Sequence, residues 1–202
     1  MDGKIIETKL GRTLFVMATE AEYGEHLQAQ FEPFICGVGP VEAALNTAIR
    51  LSAARGEVDA IVSIGSAGSA VFEQGTILQV ASVSYRDMNA SAFGFPAGQT
   101  PFAEFGPIIE LETLLDGVPS AAISTGADVV TPDGYGAIDA EMVDMESFAL
   151  VRCARKHDVG FLGLRRISDG KAPVERYEDW TAWLSDIDRG LAEALSPIFL
   201  RS

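Results

Sequence analysis

The chain has 202 residues, 48% hydrophobic and 22% charged, a composition that argues for a packed core and against disorder. The formal net charge of −14 repels phosphate backbones, which argues against a nucleic-acid partner held by a basic face. Two cysteines and two histidines without close spacing offer no zinc pattern, and Cys36 and Cys153 read as buried free thiols of a reducing compartment.

The N-terminus lacks the basic start, long apolar centre and small-residue cleavage site of a signal peptide. No apolar run reaches the length that spans a bilayer. One cytoplasmic domain covering residues 1–202, with no membrane partner, is the expectation. In chain order, TLFVMA (13–18) reads as a buried strand, followed by an acidic helical start at Glu20 to Glu22. FEPFICG (31–37) reads as a strand running into Gly37-Val38-Gly39-Pro40. The next segment repeats apolar residues at Val41, Ala44, Leu45, Ala48 and Ile49, which is the helical period, and Pro40 suits its first turn.

VDAIVSIG (58–65) is a short apolar run of the kind found in a covered sheet, and TILQVASVSY and SAAIST are strand-like. Between these two lies RDMNASAFGFPAGQTPFAEFGP, a long segment without periodicity that reads as a functional or interface loop. VDMESFALVRCARKHDVG carries a helical stripe at Ala149, Leu150, Cys153 and Ala154. Basic residues fill its last turn, and Gly160 is read as the stop. FLGLRRIS is a further strand, and a last helix is expected from about Glu178 to about Leu195, carrying Trp180 and Trp183. The pattern predicts an α/β fold, a mixed twisted sheet with helices on both faces.

Three glycine-rich strand ends, GVGP, GSAG and TGAD, are candidates for ligand contact. GVGP has Glu42 where a dinucleotide fingerprint needs its third glycine, which argues against a Rossmann cofactor. In GSAG, the Ser66 hydroxyl and nearby backbone amides suit a polar ligand at a strand edge. Glu22, Glu146 and Asp169 each follow or end an apolar run, so all three can gather at one sheet edge. Each also has a plain structural explanation: a solvated first turn for Glu22, a helix dipole for Glu146, a cap or turn for Asp169. Carboxyls in different environments can act as acid and base, which gives a reaction type but no substrate.

VDMESFAL followed by FLGLRRISDG resembles the signature of nucleoside phosphorylases and nucleosidases, most closely the 5′-methylthioadenosine/S-adenosylhomocysteine nucleosidases. ATEAE, CGVGPVEAAL, SIGSAG and YRDMNASAFGFPAGQTPF are similar to further pieces of that family, in the same order. The resemblance implies a nucleoside phosphorylase-like fold and hydrolysis of the N-glycosidic bond of 5′-methylthioadenosine, S-adenosylhomocysteine or a related adenosine derivative, with release of adenine. It places Glu22 as the base that activates water and Asp169 as the acid that protonates the purine. Met145 and Glu146 fall on ribose contacts, Ser66 and Gly68 on the ribose loop, and Val130 on a residue whose backbone recognises the base. Ala90 and Phe93 fall on residues that reach into a neighbouring subunit's 5′-substituent pocket, which implies a homodimer. No metal or organic cofactor is implied.

The chain departs from the family pattern at Val129, where a phenylalanine stacks on adenine, and at Arg86, which replaces a loop histidine. Arg166 replaces a small residue, and Lys171 stands close enough to Asp169 in sequence to pair with it. Two rival readings follow. A phosphate-dependent phosphorylase is favoured by Arg86 and disfavoured by ATEAE in place of a phosphate-binding segment. A non-catalytic nucleoside-binding protein is motivated by Val129 and Lys171.

Overall fold

In the computed structural model, which describes residues 1–169 and 184–199, the run at 13–17 is buried on both sides. Leu14 and Val16 face one apolar layer and Phe15 and Met17 another, as the two-residue period of a strand requires. The strands are β1 (Ile5–Thr8), β2 (Gly11–Met17), β3 (Phe34–Ile35), β4 (Ala60–Gly68), β5 (Ile77–Tyr85), β6 (Ile108–Glu110), β7 (Ser120–Thr125), β8 (Met142–Asp144) and β9 (Gly160–Asp169). The helices are α1 (Glu25–Gln28), α2 (Pro40–Ala54), α3 (Ser147–Lys156) and α4 (Leu184–Leu195). This is the expected mixed α/β architecture. Leu27 of α1 and Ile187, Leu191 and Leu195 of α4 pack in one layer with Phe15 and Met17. Ala43 and Leu51 of α2 and Leu150, Cys153 and Ala154 of α3 pack in another with Leu14 and Val16.

The sheet goes beyond the sequence expectation by closing on itself. β4 pairs in parallel with β9, β9 antiparallel with β5, β5 in parallel with β7, and β7 in parallel with β8. β8 returns to β4 through the single antiparallel pair Val143–Gly68. β2 extends this ring from β4, with β1 and β3 beside it. Near its end β9 carries one more residue than β4, because Ile167 faces Ala67 whereas Asp169 faces Gly68. Such a bulge re-aims the side chains that follow it.

Several boundaries differ from the sequence reading. FEPFICG yields only the two-residue strand Phe34–Ile35, since Pro33 lacks an N–H and Gly37 takes a positive φ of 89°. Gly65 to Gly68 lie within β4 and not in a turn after it. Asp158, at φ 56°, makes the left-handed step after α3, while the expected stop, Gly160, opens β9. On α2 the apolar stripe divides: Ala44 and Ala48 pack inward, whereas Val41, Leu45 and Ile49 face outward. The last helix is described from Leu184, so the expected start near Glu178, with Trp180 and Trp183, lies outside the described residues.

Two buried carboxylates fix the parts that frame the site. Asp188 on α4 accepts the backbone N–H groups of His26 and Leu27, each at 2.9 Å, and so caps α1 from across the core. Asp144, at the end of β8, pairs with the Arg165 guanidinium of β9 at 3.1 Å. Arg165 also donates to the Ser63 hydroxyl on β4 (3.0 Å) and the Ser147 hydroxyl on α3 (2.8 Å). Asp144 in turn accepts from the Thr125 hydroxyl of β7 (2.7 Å) and the Ser147 N–H (2.9 Å). One ion pair therefore ties four strands and the start of a helix. Removing one partner of such a pair strands the other charge in the interior. Arg165→Met is expected to lower unfolding stability by about 3–5 kcal/mol, measured by urea denaturation, and more than Arg12→Met at the exposed Arg12–Asp59 pair.

Candidate active site

The carboxyl ends of β2, β4, β8 and β9 surround a cavity of about 560 Å³. Ligand pockets for small organic molecules fall in this size range. Its lining includes Glu22, Ser66, Gly68, Val129, Val130, Met145, Glu146 and Asp169. All eight catalytic and substrate-contact residues expected from the sequence are thus brought to one place. Ala90 and Phe93 are not: they lie at the 3₁₀ turn Ser91–Phe93, with Ala90 buried and Phe93 84% exposed. Lys171 lies outside the described residues.

Glu22 is delivered by a 3₁₀ turn, Glu20–Glu22, whose start is capped by the Thr19 hydroxyl. The alternative of a solvated first-turn residue does not hold, since Glu22 is only 5% exposed. Its Oε1 accepts from the Ser66 hydroxyl and, at 3.2 Å, from the Ser66 N–H. A side chain at Gly65 would press on its other oxygen, at 2.9 Å from the place of a Cβ. Burial pushes the Glu22 carboxyl above its ordinary pKa, against the Ser66 hydrogen bonds and the Arg165 charge.

Glu146 occupies the position before α3, yet it is Asp144 that accepts the first free N–H of the helix, from Ser147. Glu146 instead accepts the Gly39 N–H at 2.8 Å, across the GVGP segment. Its pKa is raised by burial first and by the neighbouring Asp144 charge second. Asp169 ends β9. Its Oδ1 accepts from the Ser168 hydroxyl at 2.8 Å and its Oδ2 from the Tyr135 hydroxyl at 3.1 Å. Burial raises its pKa and these two hydrogen bonds oppose the rise. Gly68 leaves the room for this, because a Cβ there would collide with the Tyr135 hydroxyl and both Asp169 oxygens.

Burial raises the pKa values of all three carboxyls around the cavity, that of Glu146 to about 7, and carboxyls held in such different surroundings suit acid–base chemistry. Asp144, paired with Glu146 in the VDMES run, takes the helix-start and supporting place that its position in the sequence suggests. Arg165, Ser63 and Tyr135 were not singled out for the site by sequence reading, and no pattern foretold that a tyrosine from the 132–137 turn would meet Asp169. Arg86 points elsewhere: it donates to the carbonyls of Ser124, Asp144 and Asp128 and so fastens the TGAD loop. Among the described residues no cluster of His, Cys, Asp or Glu is arranged to hold a metal ion.

No family model matches the chain. The 5′-methylthioadenosine/S-adenosylhomocysteine nucleosidase of Staphylococcus aureus is 27% identical over 151 residues, 66% of this chain and 65% of that protein. The match therefore spans a little under two thirds of the relative's length. Among solved structures, a futalosine hydrolase mutant of Helicobacter pylori superposes with a TM-score of 0.79 at 20% identity, covering 92% of this chain and 96% of that one. The Helicobacter pylori 5′-methylthioadenosine/S-adenosylhomocysteine nucleosidase with butyl-thio-DADMe-Immucillin-A gives 0.78 at 19% identity, covering 91% and 95%. The Neisseria meningitidis nucleosidase with methylthio-immucillin-A gives 0.76 at 19% identity, covering 92% and 96%. The chain thus shares the fold of these nucleosidases and hydrolases, and over 66% of its length its sequence is similar to the Staphylococcus aureus nucleosidase.

Proposed function

We infer that the chain hydrolyses the N-glycosidic bond of 5′-methylthioadenosine, S-adenosylhomocysteine or a related adenosine derivative, such as a futalosine-like compound. The observation that carries this reading is the meeting of Glu22, Glu146 and Asp169 on one nucleoside-sized cavity, in a chain related to nucleosidases. Water adds to the anomeric carbon as the bond to the purine nitrogen breaks. Glu22 takes the proton from water, Asp169 gives one to the five-membered ring of the base, and Glu146 holds the ribose hydroxyls. Its negative charge also lies beside the cationic sugar of the transition state. No step calls on a metal or an organic cofactor.

Water is favoured over phosphate because Arg165, the one cation among the described lining residues, is engaged by Asp144, Ser63 and Ser147. A pair of such chains is the expected assembly, with Ala90 and Phe93 facing the neighbour's pocket. The outward Val41, Leu45 and Ile49 on α2 support it, since apolar patches of this kind mark contact surfaces. A cytoplasmic role in methionine salvage follows from the substrate class. No described helix is long and apolar enough to cross a membrane.

A panel of adenosine derivatives, incubated with and without phosphate and chromatographed for free base, is expected to show phosphate-independent release of adenine. Asp169→Asn should lower that release by about 10²–10⁴-fold while leaving the circular dichroism unchanged. Near-normal activity in that variant would remove Asp169 from the mechanism. Sedimentation of the purified chain is expected to give a dimer.

The raised pKa of Glu146 also sets a stability signature. A carboxyl whose folded pKa is raised favours the fold while protonated, and that contribution is lost as pH climbs from its unfolded value through its folded one. Glu146→Gln is therefore expected to be more stable than the parent at pH 8 in the absence of ligand. The difference should close toward pH 4, as followed by thermal melting.

A further inference from the structure

We propose that Tyr135 is a positioning residue for Asp169, pinning the carboxyl plane from the side opposite Ser168 by donating its hydroxyl to Oδ2. The proposal rests on the assignment of Asp169 as the proton donor to the base. It starts from three facts of geometry. The two oxygens of Asp169 are held separately, Oδ1 by its own neighbour on β9 and Oδ2 by a residue 34 positions earlier in the chain. Tyr135 is half-buried, and its hydroxyl fills the space that the missing Cβ of Gly68 leaves open. The 132–137 turn that carries it starts with Pro132, whose fixed φ narrows the backbone states of the turn.

A carboxyl with one anchored oxygen can still swing about its Cβ–Cγ bond, whereas two anchors from different segments fix its plane. Proton transfer to a ring nitrogen depends on that plane, because the acid must reach the nitrogen's lone pair in the plane of the base. The contact also has a sign. A hydroxyl donated to a carboxylate favours the ionised form, so Tyr135 holds the Asp169 pKa down while burial holds it up. Tyr135 is itself suited to staying a donor, because burial and the adjacent carboxylate both push its phenol pKa upward, against a smaller pull from the Arg86 charge. Among the described residues, Tyr135 is the titratable group hydrogen-bonded to Asp169. The Arg86 charge acts on Tyr135, and Glu22 and Glu146 line the same cavity as Asp169. β4 presents Gly68 to the Asp169 carboxyl, and Ser69, the residue after the strand, donates its N–H to the Asp169 carbonyl.

The test is Tyr135→Phe, which keeps the ring and removes only the hydroxyl. Two readouts are followed: the pH profile of kcat/KM for adenine release, and the carboxyl carbon resonance of Asp169 titrated by NMR in unliganded protein. Losing one neutral hydrogen bond to a carboxylate is expected to move the Asp169 titration and the alkaline limb of kcat/KM upward by about 0.5–1 pH unit. A fall in kcat larger than the change in KM is also expected, since the loss is one of orientation. An Asp169 titration that coincides in the two proteins within about 0.2 unit, on the scale of these shifts, would overturn the proposal. The NMR arm needs no turnover. If no nucleoside is cleaved by either protein, the hydrolase reading fails, and an Asp169 titration still shifted in Tyr135→Phe upholds the contact while an unshifted one overturns it.

Discussion

The Asp144–Arg165 pair is the constraint on which the rest of the site depends. Both side chains are almost wholly removed from water, so each must find its full complement of hydrogen bonds inside the protein. Ser63, Ser147, Thr125 and two main-chain carbonyls supply them, from β4, β7, β9 and the start of α3. Satisfying one buried ion pair thereby sets the mutual positions of β4, β7, β8, β9 and α3. It also places the Arg165 charge within reach of Glu22 and Glu146. That charge lowers the pKa values of Glu22 and Glu146, so it tempers the rise that burial causes.

The acids differ in how they are held, and the differences match the division of labour proposed for them. Glu22 is buried and receives two donors from one residue, Ser66, so its second oxygen is left to face the cavity beside Gly65. Glu146 receives a backbone N–H from the segment before α2, which links the GVGP turn to the VDMES run. Asp169 alone is gripped by two hydroxyls from separate segments. A site built this way keeps its reacting groups on strand ends and short turns, where the sheet limits their motion.

Much of this was legible in the sequence, for physical reasons that differ from element to element. The runs that became β2, β4 and β9 are apolar on both faces, and α3 carries its buried residues at helical spacing, so periodicity identified them. The acidic residues were found because they stand where apolar runs stop. Sheet closure was not legible, since it depends on one residue pair, Gly68–Val143, between segments 75 positions apart. The outward face of α2 was also hidden, because periodicity gives a stripe without saying what covers it. Arg165 and Tyr135 escaped because a charge after an apolar run and an aromatic in a turn both have commoner uses on a surface.

Because Asp169, and not Ser168, stands opposite Gly68, β9 reaches the cavity out of step with its own alternation. A one-residue deletion that restored the regular ladder would satisfy the sheet better and turn the carboxyl toward the other face. The strand end is thus a place where backbone regularity and chemistry pull in opposite directions. Chain length there is as strictly determined as residue identity, while the loops around the rim have no such count to keep.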